Sequence, residues 1–355
     1  MTAATGIRQA VLLAGGRGTR MWPLTEDTPK ALLPLAGVRF IEYQIRLVAA
    51  AGVEQVFLAV GREHAAAWRA FVDEWDVTPE LHLSFEETPL DTAGPVRALL
   101  RRLDERFLVL NGDVIFDAPI DDFIAHARED AAGVLALVRV EDPSAYGVVV
   151  TDAAGMVERF VEKPAPGTEP ADTVNAGVYL LSRDALAEYP AGRLSFERQV
   201  FPDLVSAGRL AGVAVEGAWL DIGTPTLYLE THRAVMMGET RLPPAAGPHV
   251  AGEGTTLAGN QAGTWSWIGS GVTVDEGATV EESVVLDGAV LGEGAAVKRS
   301  IVGWNAEVMP GARLSGDSIV GGAAVVGPGC EVDCGLRVAP GTKLGPRAVT
   351  FRPPR

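Results

Sequence analysis

From Ile7 to about Gly238, short continuous apolar runs alternate with segments whose apolar residues recur three and four positions apart. Ile7–Leu13, Val56–Val60, Phe107–Leu110 and Val134–Val138 read as strands buried on both faces. Phe40–Ala51 carries Ile41, Ile45 and Val48 on one helical face, and Pro95–Leu103 reads as a second helix. This alternation predicts an α/β domain over 1–240, with a Rossmann-like, mostly parallel sheet. Its ligand crevice should lie at the carboxyl ends of the strands.

Around Arg241 the rhythm stops. Pro243-Pro244 and several glycines predict a linker over 241–263. Over 264–347 a new period appears, with a small or aliphatic residue every six positions: Val272, Ala278, Val284, Val290, Ala296, Val302, Val308, Leu314, Val320, Val326, Val332, Val338 and Leu344. Small residues stand two places before most of them, among them Gly288, Gly294, Ala312, Ala324 and Cys330. A period of six with this pairing predicts a left-handed parallel β-helix, three hexapeptides to a coil and about four coils in all. Residues 348–355 read as a tail.

The chain has 355 residues, is 47% hydrophobic and carries a net charge of −16. Such acidity argues against a nucleic-acid or anionic-membrane partner, while a small phosphate ligand can still bind where a few cations converge. No apolar run is long enough to span a bilayer, and the N-terminus lacks a leader pattern. The two cysteines, Cys330 and Cys334, offer no disulfide framework. A cytoplasmic location is the simplest expectation. Cys330 falls at a small inward position, which favours packing over reactivity.

The first strand runs into Leu13-Ala-Gly-Gly-Arg-Gly-Thr-Arg20. Gly15, Gly16 and Gly18 let the backbone turn sharply and aim amide N–H groups at an anion. Arg20 offers a planar fork for phosphate oxygens, and Lys30 a compact charge. The spacing matches neither the Gly-Lys-Ser/Thr loop nor the dinucleotide fingerprint. Asp113 ends Asn111-Gly112-Asp113 after a strand, and Asp221 stands in Trp219-Leu-Asp221-Ile-Gly-Thr-Pro225. Each acid could equally be a turn or helix-entry residue, but together they suit Mg²⁺. Glu162-Lys163-Pro164 closes another strand-like run and could be a solvated pair.

The string through Arg20, Pro23-Leu24-Thr25, Pro29-Lys30 and Leu33-Pro34 resembles the sugar-nucleotidyltransferase family, which joins a nucleoside triphosphate to a sugar 1-phosphate. The resemblance covers nearly the whole chain, since members also carry hexapeptide domains that build oligomers. It implies that Leu13, Ala14, Gly15, Gly16, Gly18, Thr19, Arg20, Thr92, Gly94 and Asn111 bind the nucleotide. It further implies that Lys163 holds the acceptor phosphate, that Glu162 and Asn175 hold its hydroxyls, and that Gly147 lets the ring approach the backbone. Asp91-Thr-Ala-Gly-Pro95 resembles the base-binding segment of the GDP-mannose pyrophosphorylases, except that Asp91 stands where glycine is usual. Met21 and Ala31 are milder departures.

The expected chemistry is in-line attack of the sugar-1-phosphate oxygen on the α-phosphorus of GTP. Arg20 and Lys30 serve the triphosphate, Lys163 the acceptor, and Asp113 and Asp221 Mg²⁺. Mannose 1-phosphate is the favoured acceptor. Alternatives are a heptose phosphate, a carbocyclic phosphate such as valienol 1-phosphate, or glucose 1-phosphate with another triphosphate. Two further alternatives are a regulatory subunit without activity and an added acyltransferase in the β-helix. The second is disfavoured because the last histidine, His249, precedes the expected repeat. A homo-oligomer through the β-helix is expected.

Overall fold

The computed structural model describes residues 6–241, 249–258, 260–261 and 265–350. The chain forms two compact units, and neither is continuous in sequence. The first comprises Met1–Gly16 with Ile41–Trp219, the second Arg17–Phe40 with Leu220–Arg355.

In the first unit four parallel strands form the heart of a nine-stranded sheet, in the order Glu80–Glu86, Gln55–Gly61, Gln9–Ala14 and Arg106–Asn111. The residues of the inner three are almost wholly buried, as unbroken Val/Leu/Ala/Phe runs require, whereas in the edge strand Glu80–Glu86 only Leu81 is buried. The sheet continues with antiparallel strands. Thr173–Ser182 pairs with Arg106–Asn111, then Gly147–Thr151 and Val157–Glu162 follow, while Gly133–Arg139 pairs antiparallel with Thr173–Ser182 and parallel with Leu210–Ala214. Leu13 lies opposite Asn111 and Val174 opposite Val148, which places the ends of these strands along one edge. The expected helices form at Phe40–Ala50 and Gly94–Leu99.

The second unit contains the helix Pro225–Met236 and the stack of coils. Thr224 caps the helix by accepting from the Leu227 N–H at 3.2 Å, and Pro225 occupies its first turn. Three parallel sheets make the coils. One runs from His249–Ala251 through Ser266–Ile268, Ser283–Val285, Ser300–Val302 and Ser318–Val320 to Arg337–Val338. Together they form the left-handed β-helix. Ser266, Ser283, Ser300 and Ser318 stack in one fully buried column; Ser283 Oγ donates to the Glu281 carbonyl at 2.6 Å and Ser300 Oγ to the Lys298 carbonyl at 2.9 Å, while Ser266 Oγ meets His249 Nδ1 at 3.0 Å.

The six-residue phase is not unbroken. The inward aliphatics are Ile268, Val274, Val280, Val285, Leu291, Val297 and Val302, with a step of five after Val280 and after Val297. Val284, Val290 and Ala296 therefore do not point into the coil interior, and Val290 is 37% exposed. At these two corners a single left-handed residue, Glu282 or Arg299, carries one strand into the next. The inward small residues are Ala289 and Ala295, whereas Gly288 and Gly294 are corner residues at φ 72° and 66°. From Val302 onward the expected phase holds, and Cys330 is buried in the coil core.

Of the expected linker, residues 242–248, 259 and 262–263 lie outside the described residues, as do 351–355 of the expected tail. His249 does not precede the repeat but sits on its first strand, with Nδ1 3.0 Å from Ser266 Oγ. Among the described residues no helix is long and apolar enough to cross a membrane.

Candidate active site

The first unit gathers the expected acceptor residues at one edge of its sheet. Gly147 lies directly across from Glu162 in the antiparallel pair, and a Cβ on Gly147 would come 2.7 Å from Phe160 Cζ and 3.1 Å from Glu162 Oε2. Glycine is therefore demanded there by packing. Lys163 follows in a left-handed conformation at φ 47°, its N–H held by the Tyr146 carbonyl at 3.0 Å. That conformation is uncommon for a residue with a Cβ, and the Tyr146 carbonyl helps to hold it. Lys163 Nζ lies 3.8 Å from Glu162 Oε1 and is largely exposed. Burial raises the Glu162 pKa, and the charge of Glu197 adds to the rise.

Asn175 belongs to the same cluster. Its Nδ2 donates to the Tyr179 hydroxyl at 3.0 Å, and its Oδ1 accepts from the Gly177 N–H at 3.0 Å. Gly177 has φ 73°, and a Cβ on it would strike Asn111 Nδ2 at 2.7 Å, so Asn111 packs directly beneath this turn. Tyr179 is fully buried, and desolvation pushes its pKa up. Trp219 Nε1 donates to the Ala176 carbonyl at 2.9 Å, and its ring meets Tyr146 edge-on at 4.8 Å.

The expected nucleotide residues of this unit share the edge. Leu13 and Ala14 end the first strand. A Cβ on Gly15 would collide with Glu86 Oε1 at 2.4 Å, whereas one on Gly16 would meet nothing within 4 Å. The backbone at Gly15 is thus closely backed, and the space above Gly16 is open. Gly112 is packed against the Leu13 carbonyl, at 2.5 Å from a notional Cβ, and its N–H donates to that oxygen. Asp113 follows it. Thr92 and Gly94 are stitched to 192–197: Thr92 Oγ1 donates to Glu197 Oε2 at 2.7 Å, and the Gly94 N–H to the Leu194 carbonyl at 3.0 Å. Asp91 holds φ 67°, the conformation that explains why glycine is usual there. Its carboxylate is drawn to Arg193 at 3.3 Å and also pairs with Arg198.

The second unit carries Gly18, Thr19, Arg20, Lys30 and Asp221. Gly18 is left-handed at φ 61° and packs on the stem of Lys30, whose Cβ lies 2.9 Å from a notional Cβ on the glycine. Thr19 starts a single 3₁₀ turn, Thr19–Met21. Arg20 Nη2 and Asp221 Oδ1 lie 2.8 and 2.9 Å from the same point above Gly223, so guanidinium and carboxylate share one small space. Asp221 Oδ1 also accepts from the Gly223 N–H at 2.5 Å. Asp113 and Asp221, paired for Mg²⁺ by the sequence, thus belong to different compact units.

Several site residues escape a reading of the sequence. Gln44 is 2% exposed on the apolar face of Phe40–Ala50, and its Nε2 donates to the Asn111 carbonyl at 2.5 Å and to that of Val114. A lone amide between Ile41 and Ile45 was the available signal. Glu86 and Glu197 gave none, since each lies in an ordinary polar context.

A nucleotidyl transferase family model matches residues 9–237, and a second, described as the GMPPB C-terminal domain, matches 255–348. A probable mannose-1-phosphate guanylyltransferase of Arabidopsis thaliana is 35% identical over 332 residues, 88% of this chain and 91% of that protein. A mannose-1-phosphate guanylyltransferase of Mycobacterium tuberculosis is 36% identical over 240 residues, 66% of each chain. Among solved structures, HddC from Yersinia pseudotuberculosis matches with a TM-score of 0.56 and 26% identity, covering 64% of this chain and 98% of that one. By family match and fold alike, the chain belongs to the nucleotidyl transferase family.

Proposed function

We propose that this chain transfers GMP from GTP to mannose 1-phosphate, releasing pyrophosphate and forming GDP-mannose. The observation that carries the reading is the clustering of Gly147, Glu162, Lys163 and Asn175 at the edge that also holds the Gly15-Gly16 turn. The guanylyltransferase names of the relatives supply the substrate pair.

Two anionic reactants must be brought together, so positioning and neutralisation supply most of the acceleration. Lys163 holds the acceptor phosphate. Glu162 and Asn175 take ring hydroxyls, and the bare backbone at Gly147 admits the ring. Amide N–H groups of the glycine turn, with Arg20 and Lys30, hold the triphosphate, and Thr92, Gly94 and Asn111 position the nucleoside. No general base is required, because a phosphate monoester is already ionised near neutral pH.

Asp113 and Asp221 fit Mg²⁺ as hard oxygen donors, the Asp221 carboxylate being pinned by the Gly223 N–H. A bound ion would offset charge on the phosphates. One or two carboxylates suffice beside phosphates and water, and among the described residues no cluster of three metal-ligating side chains occurs. Self-association through the β-helix and a cytoplasmic location complete the proposal.

The test crosses nucleoside triphosphates with sugar 1-phosphates and reads pyrophosphate. GTP with mannose 1-phosphate should give the highest kcat/KM. A different preferred pair would replace the substrates named here, and silence across the panel would reject the reading.

A further inference from the structure

The turn Phe196–Val200 brings a second carboxylate close to Glu162. Glu197 is half-buried, and its Oε2 accepts from Thr92 Oγ1 at 2.7 Å and from Ser195 Oγ at 2.9 Å. Ser195 is 2% exposed and caps the same turn by accepting from the Arg198 N–H, so the anchor is rigid. Both anchoring bonds use the same oxygen. Among the described residues nothing donates to Glu197 Oε1.

Among the described residues no cation lies within ion-pair distance of this carboxylate. Its neighbour Arg198 pairs with Asp91, as does Arg193. Yet Glu197 is held beside the acceptor residues by a shared aromatic cluster. Phe196 packs on Tyr179 and Phe201 with centroids 5.5 and 5.2 Å apart, and Phe160, two residues before Glu162, packs on Phe201 at 5.4 Å. The Glu197 charge is felt at Glu162 and at the Tyr179 hydroxyl, which Asn175 contacts. Two carboxylates kept near one another, of which Glu162 has the ion-pair partner Lys163, work against stability, and such arrangements concentrate at functional sites. A fixed oxygen with an open lone pair is an acceptor for a substrate hydroxyl.

The geometry points to Glu197 as a specificity-determining residue, whose Oε1 accepts a hydrogen bond from a ring hydroxyl of the sugar 1-phosphate. This deepens the transfer reaction proposed above and rests on it. Glu162 and Glu197 then read the polyol together, while Lys163 takes the phosphate.

Glu197→Gln keeps the size of the side chain and an oxygen for Thr92 and Ser195. It should lower kcat/KM for mannose 1-phosphate on the order of 10- to 100-fold, since sites built around a substrate hydroxyl discriminate strongly. The KM for GTP should stay essentially unchanged, and the Tm should not fall. With monodeoxy mannose 1-phosphates, one analogue should be poor for the wild type and no poorer for the variant, which identifies the hydroxyl read. An unaltered Glu197→Gln enzyme overturns the inference. So does an equal loss with every deoxy acceptor, which would mark a structural role. A wild type inactive with all acceptors rejects instead the reaction on which the inference rests.

Discussion

Arg337, on the last rung of its sheet, donates through Nη1 to the backbone carbonyl of Trp22, 315 residues earlier in the chain. Trp22 stands two residues after Arg20, so the coil stack reaches into the segment that carries a proposed triphosphate cation. Other contacts join the same parts. The Tyr228 hydroxyl donates to the Pro34 carbonyl, and the Trp267 ring lies 2.7 Å from a notional Cβ on left-handed Gly37.

Arg337→Ala should therefore raise the KM for GTP by about three- to ten-fold, the cost of one charged-donor hydrogen bond of about 1 kcal/mol. The KM for mannose 1-phosphate should not move, and Arg337→Lys should restore part of the loss. Steady-state kinetics on both substrates decides this; an equal rise for both substrates would contradict it.

The interior of the coils provides a sharper structural test. Leu291 is fully buried, and its neighbour Val290 is 37% exposed. Leu291→Ala should cost about 2–5 kcal/mol by cavity formation, whereas Val290→Ala should stay within about 0.5 kcal/mol. Denaturant unfolding of the two variants checks the phase directly. Equal losses would restore an unbroken six-residue repeat.

This phase shows where the sequence is legible and where it is not. The buried strands, the glycine turn and the repeat after Val302 are written in local pattern, because each depends on neighbours within a few residues. The two shortened corners are not, since Glu282 and Arg299 look like any polar turn residues until their left-handed backbone is seen. The grouping of Arg17–Phe40 with the coils rests on Trp267, Tyr228 and Arg337, contacts no local pattern encodes. Among the proposed site residues, Gly147, Glu162, Lys163 and Asn175 are those that the family resemblance implies. Gln44 and Glu197 meet their hydrogen-bond partners only on folding.

His232 supplies a prediction on pH and stability. It is fully buried, with Nδ1 3.0 Å from the Tyr228 carbonyl, and desolvation lowers its pKa to about 4. Between pH 6.5 and about 4 the unfolded chain binds the proton and the folded chain does not, so stability falls as pH drops through that window. The full loss is on the order of 3 kcal/mol. His232→Phe keeps a ring against Tyr228 and Trp265 and should flatten this slope. Parallel pH profiles of unfolding for the two proteins would contradict it.

Glu162 has the opposite sign. Burial and the Glu197 charge raise its pKa, so the folded protein binds the proton more tightly than the unfolded chain. Stability then falls as pH rises from 4.5 upward through the raised value. Glu162→Gln should gain on the wild type over that range and hold a constant difference above it, measured by thermal unfolding across pH. A variant whose difference from the wild type did not change with pH would show that Glu162 titrates normally.

The central claim is that an oxygen of the acceptor phosphate attacks the α-phosphorus of GTP. Mannose 1-phosphate labelled with ¹⁸O at its three non-bridging phosphate oxygens tests this by mass spectrometry and ³¹P spectroscopy. The account predicts that all the label stays in GDP-mannose, with one ¹⁸O bridging the two phosphorus atoms. Label in the released pyrophosphate, or in free phosphate, would contradict it.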